Sequence, residues 1–299
     1  MAGGKRFSMN TLLAIGLGYS ATEIAPRLRQ AGWRIIGSGR GEDRLRAIRA
    51  KGYDAVPFDG ESPSPALAEA MSEATHLLIS TAPAAKGDPV LRWHSDDLAK
   101  APHLKWIGYL STIGVYGDHE GAWVDETTPP QPSSDRSIGR LGAENAWQSF
   151  AEDRGTTLQI FRLAGIYGPG RNQFEKLRAG REQRIYKPGQ VFNRIHVDDI
   201  AATVIAGIEA GNAASGVFNV TDDEPAPPQD VIAYAAELLG MEPPPLVDWN
   251  EADMSPMARS FYSENKRVRN ERIKKELGVR LNYPTYREGL RALLDETAN

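Results

Sequence analysis

The sequence contains no cysteine in 299 residues. That removes disulfides, thiolate metal sites and a cysteine nucleophile together. Histidine is sparse: His76, His94, His103, His119 and His196 are scattered, with neither HExxH nor another ligand spacing, so no metal site is expected. Basic charge is not in excess, and a formal net charge of −4 provides no general surface for nucleic acid. No apolar run approaches the roughly 20 residues that span a bilayer. Lys5 and Arg6 ahead of an apolar run at 11–15 imitate a secretory leader. Gly16 and Gly18 break that run and an amphipathic segment follows, so a buried first strand explains it better. The expectation is a cytoplasmic globular chain that meets neither membrane nor nucleic acid, with residues 1–9 as a disordered lead-in.

What is present is periodic. Short apolar runs at 12–15, 34–38, 55–58, 76–81, 106–110 and 158–163 alternate with segments of helical period, such as Ile24, Leu28 and Ala31. Near-continuous apolar strands alternating with helices predict a parallel sheet covered on both faces. The fold class expected is α/β, a doubly wound Rossmann sheet of about seven strands with a small discontinuous C-terminal α/β lobe. The sheet domain is assigned 10–165 plus 191–222, and the lobe 166–190 plus 223–299. Within the later region a strand at 195–197 precedes a helix capped by Asp198 or Asp199, a strand runs over 217–220, and helices cover 229–240 and 269–278.

Gly16-Leu17-Gly18-Tyr19-Ser20-Ala21 directly follows the first strand and opens a helix. Glycines there permit a tight turn and close backbone approach to a pyrophosphate lying on the helix N-terminus. An NAD site would place a carboxylate about 20 residues later to hold the ribose 2′-hydroxyl. This chain instead has Gly37-Ser38-Gly39-Arg40, with Arg44 one helical turn on. Ser38 and Arg40 can receive a 2′-phosphate through charge-assisted hydrogen bonds, so NADP is expected, with NAD as the alternative. Asp59 is a candidate acceptor for the adenine amino group, or else a turn former. Thr81-Ala82-Pro83 closes the fourth strand where such a sheet presents its crevice.

Ser111-Thr112-Ile113-Gly114-Val115-Tyr116-Gly117, Arg162 to Arg171, Arg194 to Ala201 and Phe218-Asn219-Val220 follow in an order and spacing that resembles the extended short-chain dehydrogenase/reductase superfamily, the group of nucleotide-sugar epimerases and dehydratases. The resemblance implies that Ser111 and Thr112 belong to the active-site strand end, with Thr112 as the catalytic Ser/Thr. It implies that Ala164, Gly165 and Ile166 line the nicotinamide. It also aligns the family's Tyr-x-x-x-Lys, and a Glu four residues later, onto Arg136, Arg140 and Glu144. With GxGxxA in place of GxxGxxG, these departures are similar to the atypical branch, which often lacks the active-site Tyr.

Arginine stays protonated and cannot act as the acid or base that tyrosine supplies. Arg140 can keep the contact to the cofactor ribose. Arg136 can clamp a carboxylate or phosphate beside Thr112, or polarise a carbonyl oxygen. Tyr116 and Tyr167 are alternative proton donors, or else core residues. Arg171-Asn172 and Asn193-Arg194 are candidate contacts to a phosphorylated or nucleotide-linked substrate, or else ordinary loop polar groups. Tyr262 and Lys266 form a literal YxxxK far downstream, read as a chance match. The functional expectation is an epimerase/dehydratase- or reductase-type enzyme with a small polar, anionic or nucleotide-linked substrate, in a chain that can form a homodimer. The alternative is a non-catalytic protein that responds to NADP(H). A β-hydroxyacid-type dehydrogenase would require an all-helical C-terminal half, against the strand at 218–220.

Overall fold

A computed structural model describes residues 9–180 and 183–298; the lead-in expected at the N-terminus lies, Met9 apart, outside the described residues. Seven strands form one sheet in the order Gly216–Val220, Thr157–Leu163, Trp106–Thr112, His76–Ile79, Thr11–Ile15, Arg34–Gly39, Asp54–Pro57. The sheet is parallel with helices flanking it, as the alternating pattern requires. Thr11–Ile15 is buried along its whole length, with Arg34–Gly39 on one side and His76–Ile79 on the other. From this central strand the chain first builds one half of the sheet, then crosses to build the other. The reversal leaves a crevice at the carboxyl ends of Thr11–Ile15 and His76–Ile79, the place where doubly wound sheets bind ligands.

The described residues fall into two compact units. One comprises residues up to 111, 142–160 and 207–216; the other comprises 112–141, 161–206 and 217–298. In the first unit, a buried relay ties strands to helix ends: Trp106 Nε1 donates to Gln159 Oε1 at 2.9 Å, and Gln159 Nε2 donates to the carbonyls of Gly207 and Ala214. The amide's donors and acceptor are thus used internally, which is why a glutamine is tolerated at 0% exposure.

The second unit has its own core of Tyr167, Phe174, Leu177, Val231, Ile232, Ala235, Tyr286 and Leu290. Three short parallel ladders thread it: Gly165–Tyr167 with Arg194–His196, Arg184–Tyr186 with Leu246–Asp248, and Trp123–Val124 with Arg267–Val268. The strand Gly216–Val220 rules out the all-helical C-terminal half. One expectation is corrected: the helix Val197–Ala210 starts before Asp198 and Asp199, so neither caps it. Asp199 instead accepts from the backbone N–H of Asn282 and Tyr283, and Asp198 from the Asn282 side chain. No helix among the described residues is long and apolar enough to cross a membrane.

Candidate functional site

The glycine turn is built around Gly16, whose φ of +80° favours a residue without Cβ. A Cβ there would also lie 2.9 Å from Thr81 Cγ2, so the turn sits directly against the end of the fourth strand. Gly16 N–H donates to Ser38 Oγ at 2.9 Å, and Leu17 N–H donates to Ser38 O at 3.2 Å. Ser38 is only 1% exposed. It therefore fastens the turn, and the expectation that it meets a phosphate is corrected.

The helix Tyr19–Gln30 follows, with Gly18 at its N-cap, no side-chain cap and no acidic residue in its first turn. Open N–H groups at a helix start attract an anion through the helix dipole. The only atoms near a Cβ built on Gly18 are Gly16 O at 3.7 Å and Ser80 Oγ at 4.0 Å, so space remains beside the backbone. Tyr19 is half-buried and Ser20 buried within that first turn.

At the end of the second strand, Arg40 is exposed and caps the helix Gly41–Ala50 through backbone alone. It makes no hydrogen bond or ion pair among the described residues. Arg44 is committed: its Nη2 donates to Leu17 O, laying the side chain over Gly39. Asp59 is exposed and its Oδ1 accepts from Glu61 N–H at 2.8 Å, a bond that shapes the turn. Thr81 and Pro83 are half-buried and Ala82 is exposed, following the fourth strand. Glycine turn, uncapped helix and open guanidinium suit a dinucleotide with an anionic adenosine end.

Ser111 is buried and its Oγ donates to Glu144, itself 1% exposed. This bond ties the helix Asp135–Arg154 to the end of Trp106–Thr112.

In the second unit, Thr112 begins a tight turn by accepting from Gly114 N–H at 3.1 Å. The turn is anchored by Tyr116, fully buried, whose hydroxyl donates to Asn219 Oδ1 at 2.8 Å. The Arg162 guanidinium lies 4.8 Å from the same ring's centroid. Asn219 N–H donates in turn to Glu126, whose carboxyl is pushed up by burial. Burial likewise raises the Tyr116 hydroxyl, with Arg162 acting against it. Tyr167 is also buried, its hydroxyl directed to Thr285 O. Both tyrosines pack in the core with their hydroxyls on protein groups. Gly117, at φ +73°, closes the turn; a Cβ would lie 1.9 Å from Gln131 O, so only glycine fits.

Sequence reasoning missed Ser137. It is buried, and its Oγ lies 3.0 Å from a Cβ built on Gly114, while Thr112 Oγ1 lies 3.4 Å from that same point. Ser134 accepts from Ser137 N–H and donates to its hydroxyl, in the manner of a helix cap. A helical wheel drawn through Glu144 instead of Arg136 would have found it, since 137, 141 and 144 share a face. Arg136 itself is exposed; its guanidinium lies 4.9 Å from the centroid of the Phe261 ring. Arg140 is half-buried.

Asn193 does not stay in the substrate set. It is 5% exposed, donates to Lys266 O and accepts from Val268 N–H, so its amide is a backbone staple. Asn172 caps the helix Gln173–Arg178, while Arg171 is exposed in the preceding tight bridge. Ala164 N–H donates to Val220 O, exposed Gly165 N–H donates to Asn193 O, and Ile166 is half-buried in the same strand. The YxxxK match is not a catalytic pair. Tyr262 ends its helix, whereas Lys266 lies beyond it, buried, with its ammonium on Gly117 O and Glu264.

The description that matches this chain is the NAD dependent epimerase/dehydratase family, over residues 16–221. The chain belongs to that family. A solved structure of a functionally unknown conserved protein from Silicibacter pomeroyi DSS is 55% identical, with a TM-score of 0.89, covering 96% of this chain and 99% of that one. Protein YeeZ from Escherichia coli K12 is 29% identical over 290 residues, 92% of this chain and 97% of its own length. A dTDP-glucose 4,6-dehydratase from Bacillus anthracis, solved in complex with NAD, is 18% identical with a TM-score of 0.77, covering 97% and 96%; it speaks for the fold alone.

Proposed function

We propose that this family member is an NADP(H)-preferring oxidoreductase of reductase or epimerase type acting on a small polar, anionic substrate, nucleotide-linked substrates included. The observation that carries the cofactor reading is Arg40: exposed and unpaired among the described residues, at the strand end where NAD sites carry a carboxylate. The uncapped start of Tyr19–Gln30 is the candidate pyrophosphate site, with Gly16, Gly18, Tyr19 and Ser20 around it. Thr81, Ala82 and Pro83 remain candidate cofactor contacts, as do Ala164, Gly165 and Ile166.

A bound nicotinamide supplies hydride exchange. On this reading Thr112 orients the substrate oxygen, Arg136 holds its anionic group or polarises its carbonyl, and Arg140 keeps the ribose contact. Ser111 serves as the anchor of Glu144, so its part is positioning. An arginine side chain does not serve as a proton donor, and Tyr116 and Tyr167 are engaged internally, so on this reading the proton comes from water or another group.

That same want of a titrating partner favours a second reading, a non-catalytic protein whose partner changes with cofactor redox state. The experiment that separates the two incubates NADPH-loaded protein with sugar nucleotides and small carbonyl compounds and follows absorbance. Turnover reduced by Thr112→Ala and Arg136→Ala supports an enzyme. A silent panel, with a partner retained in one redox state only, supports the sensor.

A further inference from the structure

Three features of the second unit bear on what Arg136 could receive. Its guanidinium is exposed, and among the described residues it makes no hydrogen bond or ion pair; its neighbour is the Phe261 ring, centroid 4.9 Å away. A guanidinium backed by an aromatic face keeps its edge donors available for a planar, bidentate acceptor. Phe261 is itself 50% exposed, and Met257, four residues earlier on the helix Pro256–Tyr262, is 63% exposed. Residues four apart share a helix face, so an apolar strip continues from the ring beside the cation. Solvent-facing Phe and Met on one face, next to an unpaired arginine, form an amphipathic platform: one charged fork and a flat apolar floor.

The count of available cations narrows the ligand further. Arg259, on the same helix, donates to the carbonyls of Trp249 and Ala252. Lys187 donates to Tyr262 O and lies 4.8 Å from the Trp249 ring centroid. Lys266 is ion-paired with Glu264 and bonded to Gly117 O. Each of these three positive charges is already committed to the protein, so of the four named here Arg136 alone offers an open fork. A pyrophosphate carries about two charges and is usually met by several donors; a carboxylate carries one and matches a single guanidinium in bidentate geometry. Arg136 directly precedes Ser137 on the helix Asp135–Arg154, and the Ser137 hydroxyl borders the Thr112 turn, so the open fork belongs to the same helix as a candidate oxygen-orienting group.

From this arrangement we infer that the substrate end of the site takes a planar aryl monocarboxylate, its carboxylate on Arg136 and its ring over Phe261 and Met257, in preference to a nucleotide sugar. The inference rests on the reading of Arg136 as a substrate group in an NADP(H)-dependent protein.

The test is calorimetric titration of the full-length chain with trans-cinnamate, cinnamyl alcohol and UDP-glucose, each with and without saturating NADPH. Cinnamate binds at least about tenfold tighter than the alcohol, which lacks the charge, and tighter than UDP-glucose. Arg136→Gln removes about tenfold of cinnamate affinity, and Arg136→Lys, which keeps the charge without the fork, removes part of it. Phe261→Ala costs several-fold. Both positions are on the surface, so the three variants fold, and circular dichroism checks it. Cinnamate affinity within twofold of wild type in Arg136→Gln, no cinnamate binding, or tighter binding of UDP-glucose overturns the inference. The NADPH arm separates the two levels: intact NADPH binding without cinnamate binding defeats this substrate class alone, whereas absent NADPH binding defeats the cofactor reading and leaves the titration without cofactor to judge the platform.

Discussion

Replacing Arg40 by alanine removes the cation at the end of Arg34–Gly39 that no group among the described residues occupies. Ser38 cannot substitute, being 1% exposed and bonded to the glycine turn, and Arg44 is committed to Leu17 O. A hydrogen bond to a charged group contributes about 1.5–3 kcal/mol when sheltered. Arg40 is exposed, so solvent and salt reduce that to about 1–1.5 kcal/mol. The expected result is a loss of about tenfold in NADPH affinity. NADH, without a 2′-phosphate, should bind the variant and the wild type alike. Fluorescence titration of both reduced cofactors against both proteins reads the difference directly. Because the contact is solvent-exposed, the wild-type gap should also narrow as sodium chloride is raised past the point where the Debye length falls below about 8 Å. Equal wild-type affinities for NADPH and NADH, or an Arg40→Ala variant that weakens both equally, would refute the reasoning.

Three further outcomes follow from the geometry. Gly117→Ala places a Cβ 1.9 Å from Gln131 O at φ +73°, so urea unfolding should show a loss of about 3 kcal/mol or more; a loss below 1 kcal/mol would mean the turn moves freely. Tyr116→Phe leaves Asn219 Oδ1 buried without its donor and should cost about 1–3 kcal/mol in the same assay, while NADPH binding is preserved. His76 is held down to about 4 by burial, with Lys105 adding to it. The unfolded chain therefore binds the extra proton first as pH falls from about 6.5, and the stabilisation present above that value is lost on the way down to about 4. The limiting slope is about 1.4 kcal/mol per pH unit, and the wild-type-minus-His76→Gln difference should shrink in that window; a flat difference would contradict it.

How far the sequence could be read depended on the range of the interactions involved. The strands of the sheet were legible because burial on both faces demands continuous apolar runs, as in Leu12–Ile15, and a local pattern suffices to see that. The glycine turn was legible for the same reason, since its φ and its following helix are local. The two-residue strand Trp123–Val124 was not, because it exists only by pairing with Arg267–Val268 far along the chain. Asp198 and Asp199 looked like caps from their position, and only the return of Asn282 and Tyr283 shows what they hold. Asn193 looked like a ligand contact until both ends of its amide met residues 266–268. Ser137 was hidden by a wheel drawn through the arginines; its neighbour Gly114 matters for the side chain it lacks.

A crystal structure of the chain grown with NADPH would decide most. The pyrophosphate should lie on the N–H groups opening Tyr19–Gln30, with the 2′-phosphate within hydrogen-bond distance of Arg40. A nucleotide bound with its adenosine phosphate away from Arg40, or no nucleotide at saturating concentration, would contradict the account.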